Sequence, residues 1–139
     1  MRTVQDADGT RYVLLKESGE SSLVRDPETG EKRHVPTATL ERVEGESPLA
    51  TAARAVPAPA RRVLTGVPDE RALGLLLELD ARGPVSVRTL LEASDLCESD
   101  LAGLLAEFRA AGLVTESRIA GERGYETTDV AAEGLSTLR

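Results

Sequence analysis

The spacing of apolar residues along the chain changes near residue 47. Over the first 46 residues, apolar and polar residues alternate in short runs such as RYVLLKE and SSLVR, and this two-residue period is typical of β-strands. Pro- and Gly-containing stretches, of which DPETGE is the clearest, separate the runs and predict turns. The predicted strands are residues 2–5, 11–17, 21–25 and 32–35. The pattern therefore predicts a small β-meander over residues 1–46.

Residues 47–68 predict a helical connector. Ser47 followed by Pro48 is typical of a helix start, and PLATAARAV is long enough for about two turns. The sequence VPAP then breaks the helix, and APARRVLTGV predicts a second short one. The charge also changes here, because residues 47–84 hold five arginines and four acids whereas the chain on either side is acidic.

From Asp69 onward, apolar residues recur at the three- and four-residue spacing of amphipathic helices. Three helices follow one another: DERALGLLLELDARG, SVRTLLEAS and a third within LCESDLAGLLAEFRAAGLV, residues 96–114. Asp69 and Ser86 are suited to cap the first two helices. Gly83 and Gly112 are suited to end the first and the third.

The last part of the chain predicts a β-hairpin and a closing helix. LVTESRIAGERGYETT reads as two strands joined by the tip AGERG, and DVAAEGLSTLR predicts a helix capped by Asp129. Helix, helix, helix, hairpin and helix is the order of a winged helix-turn-helix domain, here residues 69–139. The predicted fold class is therefore α+β, with a small N-terminal β-meander, a helical connector and a C-terminal winged helix-turn-helix.

Residues 69–139 resemble the winged helix-turn-helix transcription regulators of the MarR, ArsR and PadR kind. VSVRTLLEASDLCESDLAGLLAEFRAAGLV is similar to their paired helices ending in Gly-Leu-Val, and GERGYETTDVAAEGL looks like their wing and the helix after it. The chain as a whole is similar to helix-turn-helix proteins of halophilic archaea. The resemblance implies a DNA-binding regulator that forms a homodimer through residues 48–66 and 129–138.

The resemblance also implies where DNA would be contacted. Bases would be read from the exposed side of residues 98–110, and phosphates would be bound at the start of the preceding helix and at the wing. For the wing arginines, solvation of the hairpin is the alternative interpretation. The DNA-contact residues expected on this basis are Ser86, Arg88, Ser99, Gly103, Arg109, Arg118 and Arg123.

The second helix of the pair does not carry the side chains that usually read bases. When Leu101, Leu104, Leu105 and Phe108 point inward, small residues occupy the centre of the outward side. These residues are Ser99, Gly103, Ala106 and Ala110. No Arg, Lys, Asn or Gln stands there to make a bidentate base contact. Small residues permit close approach of a DNA backbone or of another helix, although an alanine-rich surface without a partner explains the same pattern.

Acidic residues outnumber basic ones, 24 against 17, and the formal net charge is −7. Such an acid-rich, lysine-poor composition is similar to that of proteins from salt-loving archaea, whose acidic surfaces stay soluble in concentrated salt. Negative net charge is therefore weak evidence against DNA binding. No apolar run approaches the roughly 18 residues of a membrane span, and the start of the chain has no hydrophobic signal region. We expect a cytoplasmic protein that does not bind membranes.

Few residues are suited to catalysis or metal binding. The single histidine, His34, and the single cysteine, Cys97, cannot form a metal-ligand cluster or an internal disulfide. GERGYE lacks the strand-turn-helix context of a phosphate-binding loop, and there is no cofactor motif. We therefore expect no enzymatic activity, no catalytic residues, no metal and no cofactor.

Two functions remain open at the level of sequence. The first is a DNA-binding transcriptional regulator that acts as a homodimer on double-stranded DNA. The alternative is a non-catalytic winged helix that binds a protein partner in a transcription or replication assembly. A continuous surface joining Arg88, Arg109, Arg118 and Arg123 would favour DNA, whereas arginines rimmed by acids would favour a protein partner.

Overall fold

The computed structural model describes residues 1–139 and divides the chain into two compact units, residues 1–57 and residues 58–139. The fold class is mixed α+β, with an N-terminal sheet and a C-terminal part that is mainly helical. The boundary lies inside the predicted connector 47–68, so that its first helix belongs to the first unit and its second helix to the second. No helix combines the length and the apolar character that crossing a membrane requires.

The first unit is built on an antiparallel sheet. Its strands are β1 (Arg2–Gln5), β2 (Arg11–Glu17), β3 (Ser21–Arg25), β4 (Lys32–Pro36) and β5 (Glu41–Arg42). They lie in the order β4-β3-β2-β1-β5. All four strands predicted from the sequence are present, and β5 is an additional strand of only two residues, too short to show an alternating pattern.

The two faces of this sheet have different environments. One face carries the buried side chains Val4, Tyr12, Leu14 and Val24. Helix α1 (Pro48–Ala52) packs near β1 and β2, and the Thr3 and Thr51 hydroxyls share a buried hydrogen bond of 2.7 Å. Because neighbouring strand residues alternate, Thr3 lies on the face opposite to Val4. Short 3₁₀ turns occur at Thr37–Thr39 and Ala53–Ala55.

The second unit contains five helices and three strands. The helices are α2 (Ala58–Gly66), α3 (Glu70–Arg82), α4 (Val87–Ala93), α5 (Glu98–Ala110) and α6 (Asp129–Leu138). The strands are β6 (Val85–Ser86), β7 (Val114–Ile119) and β8 (Glu122–Thr127), in the sheet order β6-β8-β7. The core is mainly leucine, with Phe108 fully buried at its centre.

Three details of the second unit differ from the sequence-based predictions. The predicted cap of the last helix, Asp129, is wrong: Thr128 is the cap, and its hydroxyl accepts a hydrogen bond from the backbone N–H of Ala131 at 3.3 Å. The hairpin tip spans two residues rather than AGERG. Ala120 and Gly121 both have positive φ, 52° and 81°, as a tight two-residue hairpin turn requires. The strand β6 was not predicted, because two residues are too few for a periodic pattern.

Candidate nucleic-acid interface

Helix α5 presents a side of small residues to solvent. Of its predicted inward residues, Leu101, Leu105 and Phe108 are buried and Leu104 is half-buried. The four small residues predicted to face outward are all exposed: Ser99, Gly103, Ala106 and Ala110. A Cβ atom at Gly103 would meet no other atom within 4 Å, so there is open space directly above this part of the helix.

The hairpin of β7 and β8 carries two arginines directly opposite each other. The register pairs Arg118 with Arg123 and, two residues further from the hairpin tip, Glu116 with Tyr125. Residues two apart on a strand lie on the same face, so these four side chains share one face of the hairpin. Like charges opposite each other across two strands are destabilising, which makes this arrangement costly unless an anion lies nearby.

Glu116 holds two arginines together at one edge of the hairpin. Its Oε1 atom accepts hydrogen bonds from Arg123 at 2.9 Å and from Arg109, at the end of α5, at 3.0 Å. Arg123 also donates to the hydroxyl of Tyr125 at 2.8 Å, with its guanidinium over the tyrosine ring. The hydrogen bond from Arg123 lowers the pKa of Glu116, and the charge of Arg109 lowers this pKa further.

The surface formed by Arg109, Arg118 and Arg123, which we name the arginine cluster, has an excess of positive charge. Arg118 donates to the backbone carbonyl of Gly121 at 3.1 Å and forms no ion pair. Glu116 therefore compensates only one of the three positive charges. The three arginines and Glu116 are all exposed to solvent, where an incoming anion can reach the guanidinium groups.

The fourth predicted arginine, Arg88, lies apart from the arginine cluster. It pairs with Glu122 at 2.8 Å. Glu122 is opposite Ile119 in the hairpin register, on the other face from Arg123. The continuous surface that would favour DNA is therefore not formed: three arginines share one face, and carboxylates lie beside both groups, which is the arrangement that would favour a protein partner.

An open groove runs along α5 towards the arginine cluster. It has a volume of about 750 Å³ and is lined on the helix side by Ala102, Ala106 and Ala110. Arg109 and Arg123 line the same groove, as does Glu98 near the start of α5. The groove therefore has small side chains along one wall and two guanidinium groups at another.

One residue predicted to contact DNA is unsuited to that role. Ser86 is only 6% exposed, and its hydroxyl caps α4 by accepting the backbone N–H of Thr89 at 3.1 Å. The same hydroxyl hydrogen bonds to the Thr89 side chain at 2.9 Å. Its capping function, which the sequence also predicted, leaves the side chain without a free face for a phosphate.

Glu116, Glu122 and Tyr125 are the residues of this surface that sequence reasoning missed. Their positions follow from the hairpin register, and the register depends on the length of the turn. Ala-Gly as a two-residue turn is the signal that could have placed them. No group of three or more His, Cys, Asp or Glu residues is arranged to hold a metal ion.

The whole chain, residues 1–139, matches the family of unknown function DUF7346, and the chain belongs to that family. A search of curated proteins finds no match to it. The family description names no activity, ligand or partner. Functional inference therefore rests on α5, the hairpin and the charges between them.

Proposed function

We propose that the chain is a DNA-binding transcriptional regulator of the winged helix-turn-helix kind. The order α3, α4, α5, β7, β8, α6 supports this, with α4 and α5 as the helix pair and the β7-β8 hairpin as the wing. The pairing of β6 with β8 supports it as well, because it connects the start of α4 to the hairpin. In this arrangement α5 and the wing face the same ligand.

The observation that carries the proposal is the arginine cluster beside the exposed small-residue side of α5. Two opposed arginines on a short hairpin reduce its stability, and only one carboxylate compensates three guanidinium groups. A DNA phosphate supplies the missing negative charge. Exposed ion pairs contribute only about 0 to 1 kcal/mol, so a phosphate can replace Glu116 as the partner of Arg109 or Arg123 at little cost.

The same geometry indicates how DNA is recognised. The outward side of α5 has no side chain that can form a bidentate contact with a base edge, so direct reading of sequence by this helix is weak. Its small residues instead allow the helix backbone to come close to the duplex. Phosphate contacts position a protein on DNA without reading its sequence, and we therefore propose binding dominated by backbone contacts and DNA shape.

Replacing Arg118 and Arg123 together with glutamine is expected to weaken binding to all duplexes by a similar factor. The slope of log affinity against log salt should fall by about 2, because each lost phosphate contact removes about one released counterion. Fluorescence anisotropy with several labelled duplexes, titrated with KCl, measures both quantities. Glu116→Gln should have the opposite effect and strengthen binding, since it frees two guanidinium groups.

A matched control is available in the first unit. Arg2 and Arg42 are exposed; Arg2, like Arg118, forms no ion pair, and Arg42, like Arg123, pairs with a glutamate, Glu17, at 3.3 Å. Arg2→Gln with Arg42→Gln removes the same charge from another surface and should leave the salt slope near that of the parent. Equal effects of the two double variants would mean that net charge alone, and not the arginine cluster, governs binding.

We further propose that the regulator is a homodimer. An apolar groove of about 380 Å³ is lined by residues of α2, α3 and α6. Leu64 and Leu138, on its rim, are 56% and 46% exposed, which is unfavourable for side chains of this size in water. Burial against the same surface of a second copy would relieve this exposure. Sedimentation in molar salt should return a dimer, and Leu64→Asp should shift it to monomer; a parent that sediments only as monomer rejects the dimer.

A second candidate function is a protein-interaction winged helix, and one observation favours it. Acids lie beside every part of the surface: Glu116 and Glu122 pair with arginines, and Glu98, Asp100 and Glu107 are exposed on α5. A partner helix with small residues and a basic rim would fit this side of α5. Such binding would depend on α5 and not on Arg118 and Arg123 together.

A further inference from the structure

The sheet of the first unit carries a group of basic residues on one face. The register across β2, β3 and β4 aligns Lys16, Leu23 and His34 in one row. The neighbouring row aligns Arg25 with Lys32. Leu23 and Arg25 are two residues apart on β3, so both rows belong to the same face. We name the surface of Lys16, Arg25, Lys32 and His34 the basic face.

The basic face lacks internal charge compensation. Lys16, Lys32 and His34 are exposed and Arg25 is half-buried, and none of the four forms an ion pair. Arg25 stands directly opposite Lys32, a like-charge pair that destabilises the sheet unless an anion lies nearby. In a chain of net charge −7, both lysines and the single histidine lie on this one face.

Nearby acids are directed to other partners or lie at the margin. Glu17 pairs with Arg42 at 3.3 Å. The register partner of Glu17 is Ser22, which is next to Leu23 on β3, so Glu17 lies on the face opposite to the basic face. The Asp26 carboxylate accepts the backbone N–H groups of Glu28 and Thr29 in the turn after β3. Glu20, Glu28 and Glu31 lie in turns beyond the strand ends. The positive charge of the basic face therefore remains available to a ligand.

We propose that the basic face binds the sugar-phosphate backbone of duplex DNA. A single-stranded ligand would need several exposed aromatic rings for base stacking, but Tyr12 is buried and the imidazole of His34 is the one exposed ring in this sheet. A protein partner would need a central apolar or aromatic anchor, and lysine is depleted at protein interfaces. Leu23, half-buried, is the only large apolar side chain in the two rows outside the part covered by α1. A surface of basic side chains without an apolar or aromatic anchor is suited to bind phosphate groups.

This inference rests on the proposed function, because both surfaces would bind the same ligand, duplex DNA. It adds a second contact surface outside the helix-turn-helix. Lysine and arginine contacts to phosphate carry no sequence information. The basic face therefore increases affinity for every duplex alike, and its contribution decreases as salt rises. This gives a protein of acidic composition a second source of electrostatic attraction to DNA.

The test is a double variant of the full chain, Lys16→Gln with Lys32→Gln, in anisotropy titrations with a labelled duplex at increasing KCl. Affinity should fall severalfold and the salt slope by about 2. Arg2 and Arg42 serve as a control, because both are exposed and register pairing places them on the opposite face of the sheet. Their substitution by glutamine removes the same amount of charge as the lysine variant. Arg2→Gln with Arg42→Gln should keep the slope of the parent, and thermal unfolding verifies that both variants fold.

The outcomes separate this proposal from the proposed function. If the lysine variant binds like the parent while Arg118→Gln with Arg123→Gln loses affinity, the basic face is not a DNA contact and the wing remains one. If only the lysine variant loses affinity, the basic face is confirmed and the wing is rejected. Polyglutamate, titrated in parallel, distinguishes an acidic protein from DNA as the ligand. If Lys16 and Lys32 are needed for binding polyglutamate but not for binding DNA, the basic face is a protein-binding surface and the proposal is overturned.

Discussion

Gly134→Ala is expected to destabilise the second unit by about 3 kcal/mol, the upper end of the usual range for overpacking. A Cβ atom at this position in α6 would lie 2.3 Å from the backbone oxygen of Pro59 and 2.8 Å from Cγ2 of Val63. The nearest atoms belong to the backbone of α2, which cannot move aside as a flexible side chain can. Helices α2 and α6 would have to separate, and buried Val63 would lose part of its packing.

Gly103→Ala is the matched control for this change. It adds the same methyl group to the interior of a helix, but in open space, with nothing within 4 Å. Alanine favours helix over glycine by up to about 1 kcal/mol, so this variant should be slightly more stable than the parent. Urea unfolding measures both free energies of unfolding. A Gly134→Ala variant as stable as the parent would show that α2 and α6 are not in close contact.

Gly103→Glu is expected to weaken binding to duplex DNA about a hundredfold while leaving stability near that of the parent. The residue lies at the centre of the exposed side of α5, and a glutamate there places bulk and negative charge where the duplex approaches. Like charges brought together at an interface cost several kcal/mol. Anisotropy with a labelled duplex measures the loss, and urea unfolding verifies the fold.

Gly74→Glu is the control for the substitution itself. Gly74 is also exposed, lies in the interior of α3 and has nothing within 4 Å of a built Cβ atom. The two variants therefore differ only in which surface receives the charge. If Gly103→Glu loses a protein partner, and Arg118→Gln with Arg123→Gln binds DNA as tightly as the parent, the protein-interaction function replaces the DNA-binding one.

Local patterns predicted most of the secondary structure, because each long element has enough residues to show its period. The strands of residues 11–17 and 21–25 and the buried stripe of α5 follow directly from alternation and from helical spacing. Strands β5 and β6 have two residues each and no period. Thr128 and Asp129 are both good capping residues, and only the backbone conformation decides between them.

The site was less predictable, since charge pairing depends on which residues come together across the hairpin. A five-residue tip would leave Arg123 in a loop, whereas the two-residue turn places it in a strand opposite Arg118. The partnership of Glu116 with Arg109 then follows from how α5 meets β7. The sequence named these arginines as candidates but could not determine which residues they pair with.

The most direct test of the central claim is residue-resolved: the ¹⁵N-labelled chain is titrated with a short DNA duplex and amide chemical shifts are followed by NMR. The largest changes should occur on the exposed side of α5 and along residues 116–123 of the hairpin, with further changes at the basic face of the first unit. No shift changes on addition of duplex, or changes that avoid both α5 and the hairpin, would contradict the assignment of this surface as a DNA-binding site.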